Sequence, residues 1–251
     1  MPRARTLLLT ATLAAVCFGA RVPARGQEQQ PPPARDQVDE LERSRLAAER
    51  DAQRAEELYQ EGKSLVESGR ADAATAVRTF GEALKLYVSL YTERTLPGPD
   101  SGAAYRAMMR GRMRHAPECV ERYLRFADGQ TAFERSQLEA LRGHALGLRA
   151  EDGPRAVFNG SEVDTRARIT HKPEPGFSEE ARQKNARGVV RLRAVLGSDG
   201  TVRHVFVVKG MPYDITEGCV AAAEKIKFKP AVKGGRPVSQ FVVLEYNFNT
   251  Y

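Results

Sequence analysis

The side chains that most often bind metals or act in catalysis are few and scattered in this sequence. Its histidines are far apart along the chain, so they do not form the short-spaced ligand groups of a zinc site. These are His115, His144, His171 and His204. The adjacent acids Glu179 and Glu180 stand at the start of a predicted helix, where carboxylates favour the positive end of the helix dipole. We therefore expect no metal site and no bound cofactor.

Motifs for nucleophilic catalysis and nucleotide binding are absent as well. The sequence has no Gly-x-Ser-x-Gly motif, phosphate-binding loop or dinucleotide-type glycine pattern. The pair Asp199 and Gly200 is instead typical of a tight hairpin, because both residues tolerate positive φ angles. The sequence predicts a binding protein and not an enzyme.

The N-terminus has the pattern of an export signal. Arg3 and Arg5 precede an uncharged stretch, Thr6 to Ala20, that is shorter than the roughly 20 residues of a membrane-spanning helix. We interpret residues 1–26 as a signal peptide cleaved before Gln27, which predicts a periplasmic protein. A retained signal would instead anchor the chain in the inner membrane. Residues 27–35 are rich in proline and glutamine and are interpreted as a linker.

The positive charge of the chain is concentrated at its C-terminal end. The whole sequence has a formal net charge of +7, and residues 168–251 hold 14 basic and 8 acidic side chains. This end is therefore the candidate for meeting a partner. Export and the lack of a basic motif interleaved with aromatic residues argue against nucleic acid.

After signal removal two cysteines remain, Cys119 and Cys219. Disulfides form readily in an oxidising compartment, yet both residues lie within helical patterns. The sequence leaves open whether they pair or are two buried thiols.

Residues 36–150 are predicted to be helical, with four helices. The first two form a hairpin in which Leu58, Gly62 and Leu65, followed by Ala76 and Phe80, resemble one degraded tetratricopeptide-type repeat. Because no second copy follows, a small helical bundle is favoured over a peptide-binding solenoid. The basic segment 106–115 could face an acidic partner or a membrane, although alternating arginine and methionine is more typical of one solvated and one packed helix face.

Residues 151–167 lack apolar periodicity and are interpreted as a second linker. Beyond them the period changes to that of strands, with Gly188 to Leu196, Val202 to Val208 and Ser239 to Phe248 as the strands. A short helix precedes the first strand and another follows the second. The predicted fold class is α+β: an N-terminal helical hairpin or bundle, then a small domain with a three-stranded antiparallel sheet and helices over one face.

Six motifs in the last third of the chain occur in a fixed order and spacing. They are Lys172-Pro-Glu-Pro-Gly-Phe-Ser-Glu-Glu-Ala-Arg182, Gly188-Val-Val190, Asp199-Gly200, Lys227-Phe-Lys-Pro-Ala231, Gly235-Arg-Pro-Val238 and Tyr246-Asn-Phe248. Together they resemble the TonB C-terminal domain, over residues 168–251. One departure is Phe177-Ser178, where the family usually has Tyr-Pro.

The resemblance implies a partner and a site. The partner is the extended box of an outer-membrane TonB-dependent transporter, which would pair with the last strand, while the segment 171–177 would make a second contact. The implied partner-binding residues are Ser239, Gln240, Phe241, Val242, Val243, Leu244, Glu245, Tyr246 and Asn247, together with His171, Pro173 and Phe177.

Three roles remain open at this stage. The chain could be a soluble periplasmic adaptor, as a monomer or a homodimer, that supports energy-coupled transport. With a retained signal anchor it could be a transducer coupled to an inner-membrane motor complex. It could also be an envelope scaffold that recognises partners through its helical region.

Overall fold

The computed structural model describes residues 35–70, 72–92, 102–176 and 178–248. The predicted signal peptide, nearly all of the first linker, and Phe177 lie outside these residues. The helices are α1 (Arg35–Glu67), α2 (Ala73–Thr92), α3 (Ala103–Arg112), α4 (Ala116–Phe126), α5 (Ala132–Arg149), α6 (Glu179–Gln183) and α7 (Ile215–Ala223). The strands are β1 (Val157–Phe158), β2 (Arg168–His171), β3 (Val189–Leu196), β4 (Val202–Lys209), β5 (Lys227–Lys229), β6 (Ala231–Lys233) and β7 (Arg236–Asn247).

The described part of the N-terminal region contains five helices where the sequence predicted four. The additional helix results from a break between α3 and α4. The chain breaks before Ala116, and Pro117 occupies the first turn of α4, where its missing N–H costs no helical hydrogen bond. Within segment 106–115, Met109 and Met113 are buried, whereas Met108 is partly exposed.

Helices α1 and α2 form the predicted hairpin. Its close approach depends on Gly62, because a Cβ atom there would lie 2.9 Å from the ring of Phe80. Phe80 is itself completely buried in the helical core, between the two helices and α4. This is the contact that the repeat-like pattern indicated.

The C-terminal region is built on a mixed sheet in the order β1-β7-β3-β4, with β6 also paired to β7. The three predicted strands are its antiparallel centre, β7-β3-β4. Gly200 closes the hairpin between β3 and β4 with a φ of 81°, and the pair Gly234 and Gly235 closes the one between β6 and β7 with φ of 56° and 72°. The α+β class predicted from the sequence is confirmed.

Segment 151–167 is not only a linker. It contains β1, whose residues Val157 and Phe158 are buried and pair in parallel with Ser239 and Gln240. A strand of two residues is too short to leave a period-2 pattern in the sequence, and its parallel partner lies some 80 residues further along the chain. The predicted three-stranded sheet is therefore enlarged at the β7 side.

Both faces of the sheet are covered, whereas helices over one face were expected. One face packs on α6 and α7, with Leu244 and Tyr246 in that core. The opposite face contributes Val195, Phe206 and Phe241 to the core of the helical region. The helical region and the sheet therefore share a hydrophobic core.

Helix α5 makes this contact through its glycines. A Cβ atom at Gly147 would lie 2.6 Å from Cγ2 of Val157, and one at Gly143 would collide with the imidazole of His204. The two glycines are one turn apart, on the side of α5 that faces β1 and β4. Their small size lets the helix backbone approach the strands closely.

No helix in the described ranges is long and apolar enough to cross a bilayer.

Candidate partner-binding edge of the sheet

A sheet can accept a foreign strand only where backbone N–H and C=O groups at its border lack partners. The sheet of this protein has two borders that could do so. One is the outer side of β4, and the other is the outer side of β7 beyond β1.

The β4 border is sealed by helix α5. The side chain of Gln137 donates from Nε2 to the carbonyl oxygen of Val205 at 3.1 Å and accepts from the N–H of Val207 at 2.8 Å. One amide side chain thus makes the two hydrogen bonds that a neighbouring strand would make. His144 adds a third bond, from its Nε2 to the carbonyl oxygen of His204.

The β7 border is covered over only part of its length. On this side β1 pairs with residues 239–240. Strand β6 pairs with residues 236–238 from the side of β3, because Val232 bonds to Thr165 and only its neighbours Ala231 and Lys233 face β7. From Val242 to Tyr246, no described strand pairs with β7 on its outer side. Ser239 and Gln240, which were predicted to contact the partner, are buried and already paired, so the open stretch begins after them.

The register of β7 shows which of its backbone groups face the border. The N–H of Phe248 donates to the carbonyl oxygen of Gly188 at 2.9 Å, so even-numbered residues are hydrogen-bonded to β3. Because an antiparallel ladder alternates, the N–H and C=O groups of Phe241, Val243 and Glu245 point to the border. The parallel bridge between Phe158 and Gln240 uses the N–H of Phe241, so an added strand would use Val243 and Glu245.

The side chains of β7 alternate in the same way. Val242, Leu244 and Tyr246 point into the core under α6 and α7. Val243, Glu245 and Asn247 are exposed on the other face, where 39% of Val243 is accessible to solvent. Glu245 is held there by an ion pair with Arg191 of β3, at 2.6 Å.

Lys172 lies across the open border. Its ammonium donates to the carbonyl oxygen of Glu245 at 2.5 Å and stands 4.1 Å from the centre of the Tyr246 ring. Burial lowers the pKa of Lys172, an effect that the nearby carboxylate of Glu245 opposes. The sequence motif contained this lysine, but nothing in the pattern indicated its role.

The second predicted contact segment borders the same stretch. Residues 172–175 and 245–248 line a cleft of about 280 Å³. Pro173 is part of its wall, and His171 is exposed at the end of β2. The structure thus brings Pro173 and the end of β7 together, while Phe177 lies outside the described residues.

Two titratable groups of the helical region make structural contacts. His115 contacts Glu56 through Nδ1 at 2.7 Å, whereas Cys119, one turn away on α4, is directed to the carbonyl oxygen of Phe80. Cys119 and Cys219 are free, buried thiols in two different cores. Within the described ranges, no three metal-ligating side chains come together.

A family model identifies the kind of domain that contains this β7 border. The model described as the Gram-negative bacterial TonB protein C-terminal region matches residues 173–250. This part of the chain is a TonB C-terminal domain. The TonB family acts in the cell envelope, where it couples energy to transport through outer-membrane receptors. In that family the domain couples transport and is not an enzyme.

The TonB match begins only after the helical region has ended. Helices α1 to α5 and strand β1, which cover one face of the TonB domain and extend its sheet, lie outside the matched residues. No curated protein matches the chain.

Proposed function

We propose that this chain is a periplasmic TonB-type binding protein that captures outer-membrane TonB-dependent transporters by strand addition at the β7 border. The incoming strand would hydrogen-bond to Val243 and to the N–H of Glu245, whose carbonyl oxygen accepts from Lys172. The observation that supports this is the contrast between the two borders. Helix α5 occupies backbone groups of Val205 and Val207 in β4, while residues 242–246 of β7 have no described strand beside them on the outer side, next to the TonB-like motif at 172–175.

Proline substitution tests the backbone contacts directly. Val243→Pro and Glu245→Pro each remove one N–H that points to the border and none that bonds to β3. The matched controls Val243→Ala and Glu245→Ala remove the same side chains and keep the N–H. Binding is measured by fluorescence anisotropy, with labelled peptides taken from the extended periplasmic segments of TonB-dependent transporters.

Loss of one hydrogen bond of about 1 kcal/mol corresponds to roughly fivefold weaker binding. We therefore expect each proline variant to bind at least that much more weakly than its alanine control. Circular dichroism and thermal unfolding establish that the variants are folded. Equal affinity of folded proline and alanine variants would rule out strand addition at this border.

Capture by a second copy of the chain would use the same groups. A homodimer of this kind is distinguished by sedimentation velocity over a range of protein concentrations. If Val243→Pro abolishes a concentration-dependent dimer and leaves peptide binding unchanged, the border serves self-association.

The alternative of an anchored transducer concerns residues 1–26, and sequencing the N-terminus of the protein from the envelope distinguishes the two. Gln27 at the N-terminus supports the soluble adaptor, whereas Met1 or Pro2 supports the anchored form coupled to a motor complex. The scaffold alternative is tested better by point variants than by deletion of residues 168–251. Such a deletion would expose the helical residues that pack on Val195, Phe206 and Phe241.

A further inference from the structure

Strands β2 and β5 form a two-stranded ribbon separate from the main sheet. Arg168 pairs with Lys229. The register shifts by one residue after Ile169, so His171 pairs with Lys227 and these four side chains lie on one face of the ribbon. All four are exposed. The opposite face carries the pair Ile169 and Phe228.

This arrangement of charge is unfavourable for folding. Like charges directly opposite each other on paired strands are destabilising. Across the described ranges, no carboxylate forms an ion pair with Arg168, Lys227 or Lys229. By contrast, the exposed cross-strand pair Arg191 and Glu245 of the main sheet joins opposite charges, as folding alone favours.

The ribbon is fixed beside the open border of β7. Just before β2, the N–H of Ala167 donates to the side chain of Gln240 at 2.8 Å. Just after β2, Lys172 reaches the carbonyl oxygen of Glu245. These two contacts lie at the ends of residues 240–245, the part of β7 that extends beyond its pairing with β1. A peptide paired with this part of β7 would therefore lie next to the ribbon.

We propose that the exposed basic face of the β2–β5 ribbon binds acidic side chains of the same polypeptide whose strand pairs with β7. This inference rests on the proposed function, and it assigns the partner a chemistry: an extended, strand-forming segment flanked by glutamate or aspartate. A ribbon strand of four residues is about 13 Å long, which suits a short peptide flank. A bilayer surface is the competing source of negative charge.

The test uses two synthetic peptides with the same valine- and threonine-rich core of six residues. One carries four glutamates as its flank and the other carries four glutamines. Affinities are measured for the wild-type protein, for the double variant Lys227→Gln/Lys229→Gln and for Val243→Pro. The matched control, Lys63→Gln/Lys209→Gln, removes two lysines that lie outside the ribbon.

The wild-type protein should bind the glutamate peptide roughly fivefold or more tightly than the glutamine peptide at low salt, because exposed ion pairs contribute up to about 1 kcal/mol each. The preference should disappear in Lys227→Gln/Lys229→Gln, persist in Lys63→Gln/Lys209→Gln, and shrink as salt screens the charges. Equal binding of the two peptides by the wild-type protein would overturn the inference while leaving strand addition intact.

Failure of the proposed function has a different signature. In that case Val243→Pro would bind the glutamine peptide as well as the wild-type protein does, while the preference for glutamate could persist. Sedimentation with phosphatidylcholine vesicles containing phosphatidylglycerol tests the competing source. Vesicle binding that requires Lys227 and Lys229, without any preference for the glutamate peptide, would overturn the inference in favour of a membrane surface.

Discussion

The imidazole of His144, in helix α5, is hydrogen-bonded through Nε2 to the carbonyl oxygen of His204, in strand β4. Its Nδ1 contacts the hydroxyl group of Tyr91, in α2, so this one side chain joins two helices and the sheet. Burial lowers the pKa of His144 to about 3, and the guanidinium of Arg193 adds to the effect. The neutral ring, with its proton on Nε2, satisfies both contacts.

His144 should make the protein sensitive to mild acid. The unfolded state takes up a proton near pH 6.5 and the folded state does not until about pH 3, so stability is full above pH 6.5 and falls as the pH is lowered. Between pH 6.5 and 5 this group should remove up to about 1.4 kcal/mol of unfolding free energy per pH unit. Urea denaturation at several pH values measures the slope.

The variant His144→Gln should unfold more easily at pH 7 but show a flatter dependence on pH in that window. His171→Gln removes an exposed histidine and serves as the control. If the slope of His144→Gln equals that of the wild-type protein, the acid sensitivity originates elsewhere.

Replacement of Gly147 by alanine should weaken the contact between α5 and the sheet. The new methyl group would meet Val157 at 2.6 Å, and overpacking of this kind costs about 1 to 3 kcal/mol. Gly111 is also helical but has no atom within 4 Å of an added Cβ, so Gly111→Ala should stabilise the protein by a few tenths to about 1 kcal/mol. Opposite shifts of the thermal midpoint are expected, and a neutral or stabilising Gly147→Ala would contradict the close approach.

Removal of the Gln137 side chain should open the second border. Gln137→Ala leaves the carbonyl oxygen of Val205 and the N–H of Val207 without their partner, at a cost of about 1 to 3 kcal/mol. The variant should also associate at high concentration, since an uncovered edge strand pairs with others. Sedimentation velocity would show this, with Ser136→Ala as the control at the neighbouring exposed position. A variant as stable and monomeric as the wild type would mean that α5 is not what seals β4.

The thiols of Cys119 and Cys219 should resist modification in the folded protein. Burial raises the pKa of both, that of Cys219 to about 12, so little thiolate exists at pH 8. Labelling with a disulfide reagent should be slow in buffer and rapid in denaturant. Fast labelling of Cys219 in Cys119→Ser without denaturant would show that its helix opens readily.

Much of the C-terminal fold was open to prediction because its signals are local. Alternation in residues 189–196, the Asp199-Gly200 turn and the glycine pair at 234 and 235 each depend on neighbouring residues. The ordered motifs then indicated the TonB family. Strand β1 and the covering of the second face depend on contacts between distant parts of the chain, and no local pattern reports them.

The site was predicted only in outline. The resemblance indicated which strand pairs with the partner. It did not indicate that β1 already covers the start of that strand, because the two residues of β1 are too few to give a strand pattern. Gln137 resembles any polar residue of a helix, and its role appears only when α5 lies against β4. The glycines at 143 and 147 were a signal that could have been read, because two small residues one turn apart favour close packing of a helix.

Strand β7 is held differently along its two halves. The first half has hydrogen-bonded neighbours on both sides, and Phe241 fixes the strand in the core beneath α5. A pull on a peptide paired with the second half would run along the strand axis, so the hydrogen bonds to β3 would resist together in shear and not open one by one. Because Phe241 packs in the core of the helical region, the same force would also act on the helices. The N-terminal half of the protein would then bear part of the mechanical load.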